Sequence, residues 1–452
     1  MGIPNGLALL TDLYELTMAA AYHRRRMFAP ATFSLFIREY PPDRGFLVSA
    51  GLEDVLAHLE AFAFAGADLE YLESLQLFSP DFLRYLEGVR FTGDVVALGE
   101  GRVFFRDEPI LEVTAPIIEA QLVETFVLNA VNLQTAIATK AARCVHAARG
   151  RNLVDFSLRR TQGVDAGLKV ARASYLAGFG GTSNVLAGKR YGIPVAGTMA
   201  HSFVTSFPDE TEAFRAFAET FPENTVLLID TYDTVAGARK AATVGREMAA
   251  RGQRLRGVRL DSGDMAALSR EVRTILRQSG LGDASIFASG GFDEFKIAQV
   301  IAEGAEIDAF GVGTKMGVSA DAPYNDIAYK LVQYGGRPVL KLSAGKKTLA
   351  GEKQVFRAAE GGPLTGDTIA LRGETLAGEA LLQPVMAGGR RTAPPECLAV
   401  LQERCRDECA RLPDAHKRLR TPEGFPVRFS QALRDSQEQV IHQVREKELG
   451  ES

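Results

Sequence analysis

The chain has 452 residues, 46% apolar and 24% charged, a globular composition with material for about two or three domains. Its 52 Lys and Arg against 56 Asp and Glu leave a net charge of −4, which excludes a general binder of nucleic acid or anionic membranes. No apolar stretch approaches the ~20 residues of a membrane span, and the run Leu7 to Leu10 lacks the basic lead-in of a signal peptide, so a cytoplasmic location is expected.

In chain order, residues 1–150 read as a mixed α/β domain. DLYELTMAAAYHRRR predicts a helix with an apolar stripe at Leu13, Leu16 and Ala20, and a basic end from His23 to Arg26 that complements the helix dipole. Phe33 to Ile37 and Phe46 to Ala50 are strand-like. FTGDVVALGEGRVFFRDEPILEVTAP reads as three short strands of a small antiparallel unit. A long helical stretch beginning at Pro116 leads into residues 151–330, where short apolar runs alternate with amphipathic helices. The candidate strands there end near Leu158, Ser183, Thr198, Asp230, Asp261, Ser289 and Gly313. About seven βα units predict a parallel α/β structure, and the count suits an irregular barrel better than a doubly wound sheet. In residues 331–452, YKLVQYGGRPVLKLS is a hairpin signal with Gly335 and Gly336 at its turn, and the tail from Pro395 begins as a charged amphipathic helix.

A βα barrel carries its active site at the C-terminal ends of its strands, and in this chain those ends are polar and glycine-rich. After the first strand stand Arg159 and Arg160, planar forks matched to carboxylate or phosphate, although one such pair alone is more often a surface pair. GTMAHSF places Thr198 and His201 after the third. His201 is the one histidine among small residues at a strand end, where an imidazole can act as base or as nucleophile toward phosphorus. The other histidines fall in helical or charged stretches and read as structural or solvated. LIDTYDT offers Asp230 and Asp233, and VRLDSGD offers Arg259 and Asp261, two apart and so on one face of a strand. Asp264 reads as a helix N-cap. Ser289, Gly290 and Gly291 after one strand, and Gly311, Gly313 and Thr314 after the next, let backbone N–H groups approach an anion. Together these suit a polyphosphorylated sugar with Mg²⁺.

Of the four cysteines, Cys397, Cys405 and Cys409 cluster near the C-terminus with only His416 nearby. With Cys144, they read as small buried hydrophobes of a reducing compartment before they read as a zinc site.

The motifs TDLYELTMAAAY, FSLRRTQG, GTMAHSFV, LIDTYDT, VRLDSGD, FASGGFDE, GVGTKM and KLSAGKKTLAGEKQVFR occur in the order seen in nicotinate phosphoribosyltransferases, and the resemblance runs from about Leu10 to the C-terminal tail. It implies a type II phosphoribosyltransferase fold, an irregular α/β barrel with a second α/β domain built from both chain ends, in a homodimer. The implied reaction displaces pyrophosphate from PRPP by nicotinate, in NAD biosynthesis, coupled to ATP hydrolysis through a phosphorylated histidine that His201 resembles. Tyr14 resembles the aromatic that covers the nicotinate ring from the neighbouring subunit, with Phe156 on the opposite face. Thr198, Arg259 and Arg159 look like nicotinate-site residues. Ser289, Gly290, Gly291, Gly311, Gly313 and Thr314 resemble the PRPP phosphate site, and Asp261 a ribose-side or metal-side carboxylate. Mg²⁺ would be carried by PRPP rather than by protein ligands. Lys346, Lys347, Lys353 and Arg357 read either as a loop ordered by phosphohistidine or as a solvated charge run. One departure is Ala350 before Gly351, where the family pattern has proline, which bears on the rigidity of that loop. The rival readings are a nicotinamide or quinolinate phosphoribosyltransferase, or a non-catalytic phosphosugar-binding barrel.

Overall fold

In the computed structural model, which describes residues 7–343, 348–358 and 361–450, the chain forms two compact units. One runs from Ile137 to Pro323; the other joins the chain before Ile137 to the chain after Pro323.

The first unit is built on a parallel sheet of short strands: Asn152–Asp155, Gly181–Thr182, Val226–Leu228, Gly257–Leu260, Ser285–Ala288 and Ala309–Val312. Its first strand pairs with its last, Leu153 opposite Phe310 and Asp155 opposite Val312. A doubly wound sheet keeps those two strands apart, whereas a barrel closes through them. On one side of that seam stands Gly181–Thr182, and on the other the strands run back in reverse sequence order to Val226–Leu228. The expected strand ending at Thr198 is reduced to one parallel bridge between Val195 and Thr182, because Pro194 has no N–H to give to a ladder. Among the described residues no ladder joins that bridge to Val226–Leu228, so the barrel is irregular.

Helices return the chain between strands, and acidic caps set their starts. Asp233 accepts from Ala236 N at 2.7 Å, and Asp264 accepts from Ala266 N and Ala267 N at 3.1 and 3.0 Å, as the N-cap reading of Asp264 requires. The helix Met265–Gln278 buries Met265, Ser269, Val272 and Leu276, the spacing of one helical face turned to the sheet.

The second unit does come from both chain ends. Strands Pro30–Ile37, Asp94–Leu98 and Leu111–Pro116 join Ile327–Tyr334, Arg337–Pro338, Leu382–Ala387 and Arg390–Arg391 in one antiparallel sheet. Gly335 and Gly336, at φ +56° and +77°, make the tight hairpin turn that residues with side chains resist. Three expectations change here. The first helix, Leu13–Arg24, buries Glu15, Leu16 and Ala19 and leaves Leu13 exposed. Val103–Phe104 leaves the small antiparallel unit to pair with Leu47–Val48. The long helical stretch divides into Ile117–Leu122 and Glu124–Ala148.

The basic stretch after Leu342 also differs from its reading. Lys346 and Lys347 lie outside the described residues. Lys353 and Arg357 belong neither to a loop nor to a solvated run: both are buried in the strand Lys353–Ala358. Lys353 is 3.0 Å from Glu112, and Arg357 holds Asp367 and Glu408 at 2.6 Å each. Ala350 uses its N–H to donate to Gln437 Oε1 at 2.8 Å, a bond proline cannot make. Cys144 and Cys405 are buried and Cys409 partly so, but Cys397 is exposed at the start of its helix. His416 is bonded through Nδ1 to the Glu423 carbonyl at 2.9 Å. Among the described residues no helix is long and apolar enough to cross a membrane.

Candidate active site

The chemistry collects just beyond the barrel strands, beginning with Asp155. Its buried carboxylate accepts from Ser157 N and Oγ at 2.9 and 2.5 Å and from Thr182 Oγ1 at 2.7 Å. Burial raises the Asp155 carboxyl, and those three donors offset part of the rise. The bonds curl the chain into the tight turn Leu158–Arg160. Phe156 is left against Phe287 at 5.5 Å, while Arg159 and Arg160 stand exposed with no ion-pair partner among the described residues. Two unpaired guanidinium groups on one turn are a focused positive charge in an acidic protein.

Arg259 is the hub. It leaves its strand half-buried, with Nε donating to Ser289 Oγ at 2.8 Å and Nη2 to Asp261 Oδ1 at 2.8 Å. Its Nη1 makes longer contacts to the Met199 carbonyl at 3.2 Å and Thr198 Oγ1 at 3.4 Å. The guanidinium carbon is 5.4 Å from the centre of the Phe156 ring, which favours a cation there. Burial works against the Asp261 charge, but Ser289 and Arg259, with His201 beyond, outweigh it and hold its carboxyl below the usual range. Behind it, Asp230 Oδ2 accepts from Asp261 N at 3.1 Å and Ser262 Oγ at 2.6 Å, which pins the loop.

His201 opens the short helix His201–Thr205 with its side chain 45% exposed, open to a reacting group. Nδ1 is 3.2 Å from Thr231 Oγ1, and Nε2 is 3.9 Å from Asp261 Oδ2. The ring is thus oriented from both sides, Nδ1 facing a hydroxyl and Nε2 facing the Asp261 carboxylate.

Two adjoining cavities share Phe156, Arg159, Arg259 and Asp261. The larger, about 460 Å³, is completed by Gly197 to His201, Ser183 and Leu228. The smaller, about 180 Å³, is completed by Arg160, Ser289, Gly290, Gly291, Gly311, Gly313 and Thr314. At Gly290 and Gly311 the glycine is there for space. A Cβ on Gly290, at φ +102°, would stand 2.0 Å from the Asp261 carbonyl, and one on Gly311 would stand 2.8 Å from the Phe156 ring. The structure therefore brings together every proposed site residue except Tyr14. That residue lies in the other unit, exposed, where burial and then Glu124 and Glu15 push its hydroxyl pKa up. Among the described residues no group of three His, Cys, Asp or Glu is arranged to hold a metal.

Family models place the nicotinate phosphoribosyltransferase N-terminal domain over residues 9–132, the family's main domain over 151–359 and its C-terminal domain over 375–437. The chain belongs to the nicotinate phosphoribosyltransferase family. It is 54% identical over 384 residues to the nicotinate phosphoribosyltransferase pncB2 of Mycobacterium tuberculosis, covering 85% of this chain and 82% of that one. The nicotinate phosphoribosyltransferase of Bacillus subtilis is 39% identical, with 99% and 98% covered. The crystal structure of human nicotinic acid phosphoribosyltransferase superposes with a TM-score of 0.85 at 31% identity, covering 95% of this chain and 99% of that one. This family member therefore has the type II phosphoribosyltransferase fold, and the cavity pair lies within the segment matched by the main domain.

Sequence reasoning passed over Ser183, Thr231 and the cavity role of Arg160. Ser183 and Thr231 lie at strand ends beside recognised motifs, so position was the available signal, but small hydroxyls are too common to single out. Asp230 was visible in LIDTYDT, and its bond to the Asp261 backbone is a tertiary fact.

Proposed function

We propose that this protein is a nicotinate phosphoribosyltransferase of the cytoplasm, forming nicotinate mononucleotide and pyrophosphate from nicotinate and PRPP in NAD biosynthesis. The observation that carries this reading is the pair of cavities joined at Arg259: one with an aromatic wall and an arginine, the other with glycine turns and two free arginines. The pyridine ring would lie on Phe156 with its carboxylate exchanged onto Arg259 and Arg159, near Thr198. The PRPP phosphates would lie against Ser289 to Gly291 and Gly311 to Thr314, where N–H groups and Arg160 hold negative charge.

Nicotinate needs no general base, because its ring nitrogen already carries the attacking lone pair. The barrier is set by departure of pyrophosphate, which builds oxocarbenium character on the ribose, so cations around the leaving group lower it most. Magnesium enters as part of the PRPP substrate and supplies neutralisation of that leaving charge. Asp261, held by Arg259 and Ser289, would face the ribose side.

ATP is proposed as a co-substrate. The Nδ1 lone pair of His201 attacks the γ-phosphorus of ATP, the bond from that phosphorus to the β,γ-bridging oxygen breaks with its electrons and ADP leaves, and the Nε2 proton stays beside Asp261 as the imidazole becomes cationic. The phosphohistidine then adds negative charge beside the PRPP cavity. Tyr14, exposed on its helix, is proposed to cover the ring of the neighbouring subunit in a homodimer.

The test is product formation from PRPP and Mg²⁺ with nicotinate or nicotinamide, with and without ATP. Nicotinate mononucleotide from the acid, increased by ATP, is expected; product from the amide alone, or none, would overturn the assignment. His201→Ala should abolish ATP hydrolysis and phosphoenzyme while leaving slow ATP-independent transfer, and an unchanged ATPase rate would remove His201 from that role.

A further inference from the structure

Behind the glycine turns stand two lysines, Lys296 outside the quoted motifs and Lys315 within GVGTKM. Lys296, in the first turn of the helix Glu294–Ala302, donates from Nζ to the Gly290 carbonyl at 2.6 Å, and the same Nζ stands 4.6 Å over the Phe292 ring. In a trans peptide the carbonyl and the following N–H point to opposite sides of the chain. Holding the Gly290 oxygen at Lys296 therefore turns the Gly291 N–H the other way. Gly290 and Gly291 both have positive φ, +102° and +69°. Glycine does not by itself decide which way such a peptide faces. Both glycines line the smaller cavity, and neither N–H has a protein acceptor among the described residues.

Asp293 extends this hold to the next turn. It is buried; Oδ1 accepts from Lys296 N at 2.9 Å, and Oδ2 pairs with Lys315 Nζ at 2.9 Å. Lys315 follows Thr314 directly, so a single carboxylate ties together the turns after two neighbouring strands.

We propose that Lys296 is a positioning residue for the phosphorylated substrate: through the Gly290 carbonyl it presents the Gly291 N–H to the anion, and Asp293 with Lys315 keeps the two glycine turns in register. The role rests on reading the smaller cavity as the phosphate end of the PRPP site. A lysine that merely solvated a helix end would affect stability and both substrates alike.

Lys296→Met keeps the apolar stem and removes the donor, whereas Lys296→Arg keeps a donor. The full-length protein is assayed for kcat, for KM of PRPP and of nicotinate, and for calorimetric binding of magnesium PRPP without nicotinate. Lys296→Met should weaken PRPP by about tenfold in both KM and Kd, with the nicotinate KM within about twofold, and Lys296→Arg should recover most of the loss. Asp293→Asn should give a smaller shift in the same direction and carries the test if Lys296→Met does not fold. An unchanged PRPP constant with a lower Tm or kcat would overturn the role, as would equal shifts for both substrates. If the unaltered protein binds no PRPP, the phosphate reading of the cavity falls with it; if it binds PRPP and Lys296→Met binds equally well, only the lysine's role falls.

Discussion

Arg259 and Arg357 each grip an aspartate through Nη2, at 2.8 Å from Asp261 and 2.6 Å from Asp367. Around Arg357 the grip is complete. It faces Asp367 across two paired antiparallel strands, both side chains are 0% exposed, and its Nη1 reaches Glu408 at 2.6 Å. Burial opposes its charge, but the surrounding carboxylates outweigh burial and raise its pKa. Arg259 stands at a strand end, its aspartate is 32% exposed, and its Nη1 contacts, at 3.2 and 3.4 Å, are long. A pair whose every donor is matched in the core has nothing to exchange, while a rim pair can trade a weak contact for a ligand's carboxylate. The difference lies in solvent access, not in residue type.

The largest effect that tests this contrast is in the core. Arg357→Ala leaves the buried Asp367 without its cation and Glu408 with Arg102 alone, and should lower the free energy of unfolding by about 3–5 kcal/mol, read by urea denaturation. A loss below about 1 kcal/mol would break the comparison, because the pair would then behave as a surface one. Arg259→Ala should do the reverse. It should cut kcat/KM for nicotinate about 10- to 100-fold, through KM, and move the PRPP constant and the stability little. A uniform loss of kcat would contradict its placement at the carboxylate.

A third kind of buried group sharpens the contrast, because His58 has burial without a charge partner among the described residues. It is stacked on Phe126 at 3.7 Å, and burial lowers its pKa to about 4. As pH falls from 6.5 the unfolded chain takes up this proton first, so stability should drop between pH 6.5 and about 4 and level off below. His58→Phe should flatten that part of the stability profile; an unaltered slope would assign it to other groups. The smallest effect separates two aspartates three positions apart: Asp264→Ala should cost about 1 kcal/mol as a lost cap and leave both KM values unchanged.

Much of the site was legible because barrel chemistry follows strand ends. His201 among small residues, Arg259 two positions before Asp261, and the paired glycine turns all carry local signals that the structure gathers on one rim. Lys353 and Arg357 were misread for the complementary reason. A basic, lysine-containing stretch in sequence looks solvated, and only the carboxylates of Asp367 on the paired strand and of Glu112 and Glu408, far off in the chain, show it to be core. Lys296 sat unnoticed on an ordinary helix, since its partner is a backbone carbonyl, which no side-chain pattern announces.

By itself, then, the sequence determined what periodicity and turn chemistry encode: alternating βα units, a hairpin at Gly335 and Gly336, and a polar rim; the second unit drawn from both ends came only through the family resemblance. Tertiary structure decided that the first strand pairs with the last, that Pro194 leaves only a bridge, and which cations are buried and which stand free. Those outcomes depend on contacts between residues far apart in the chain, where burial and pairing set the energy and local propensity has no say.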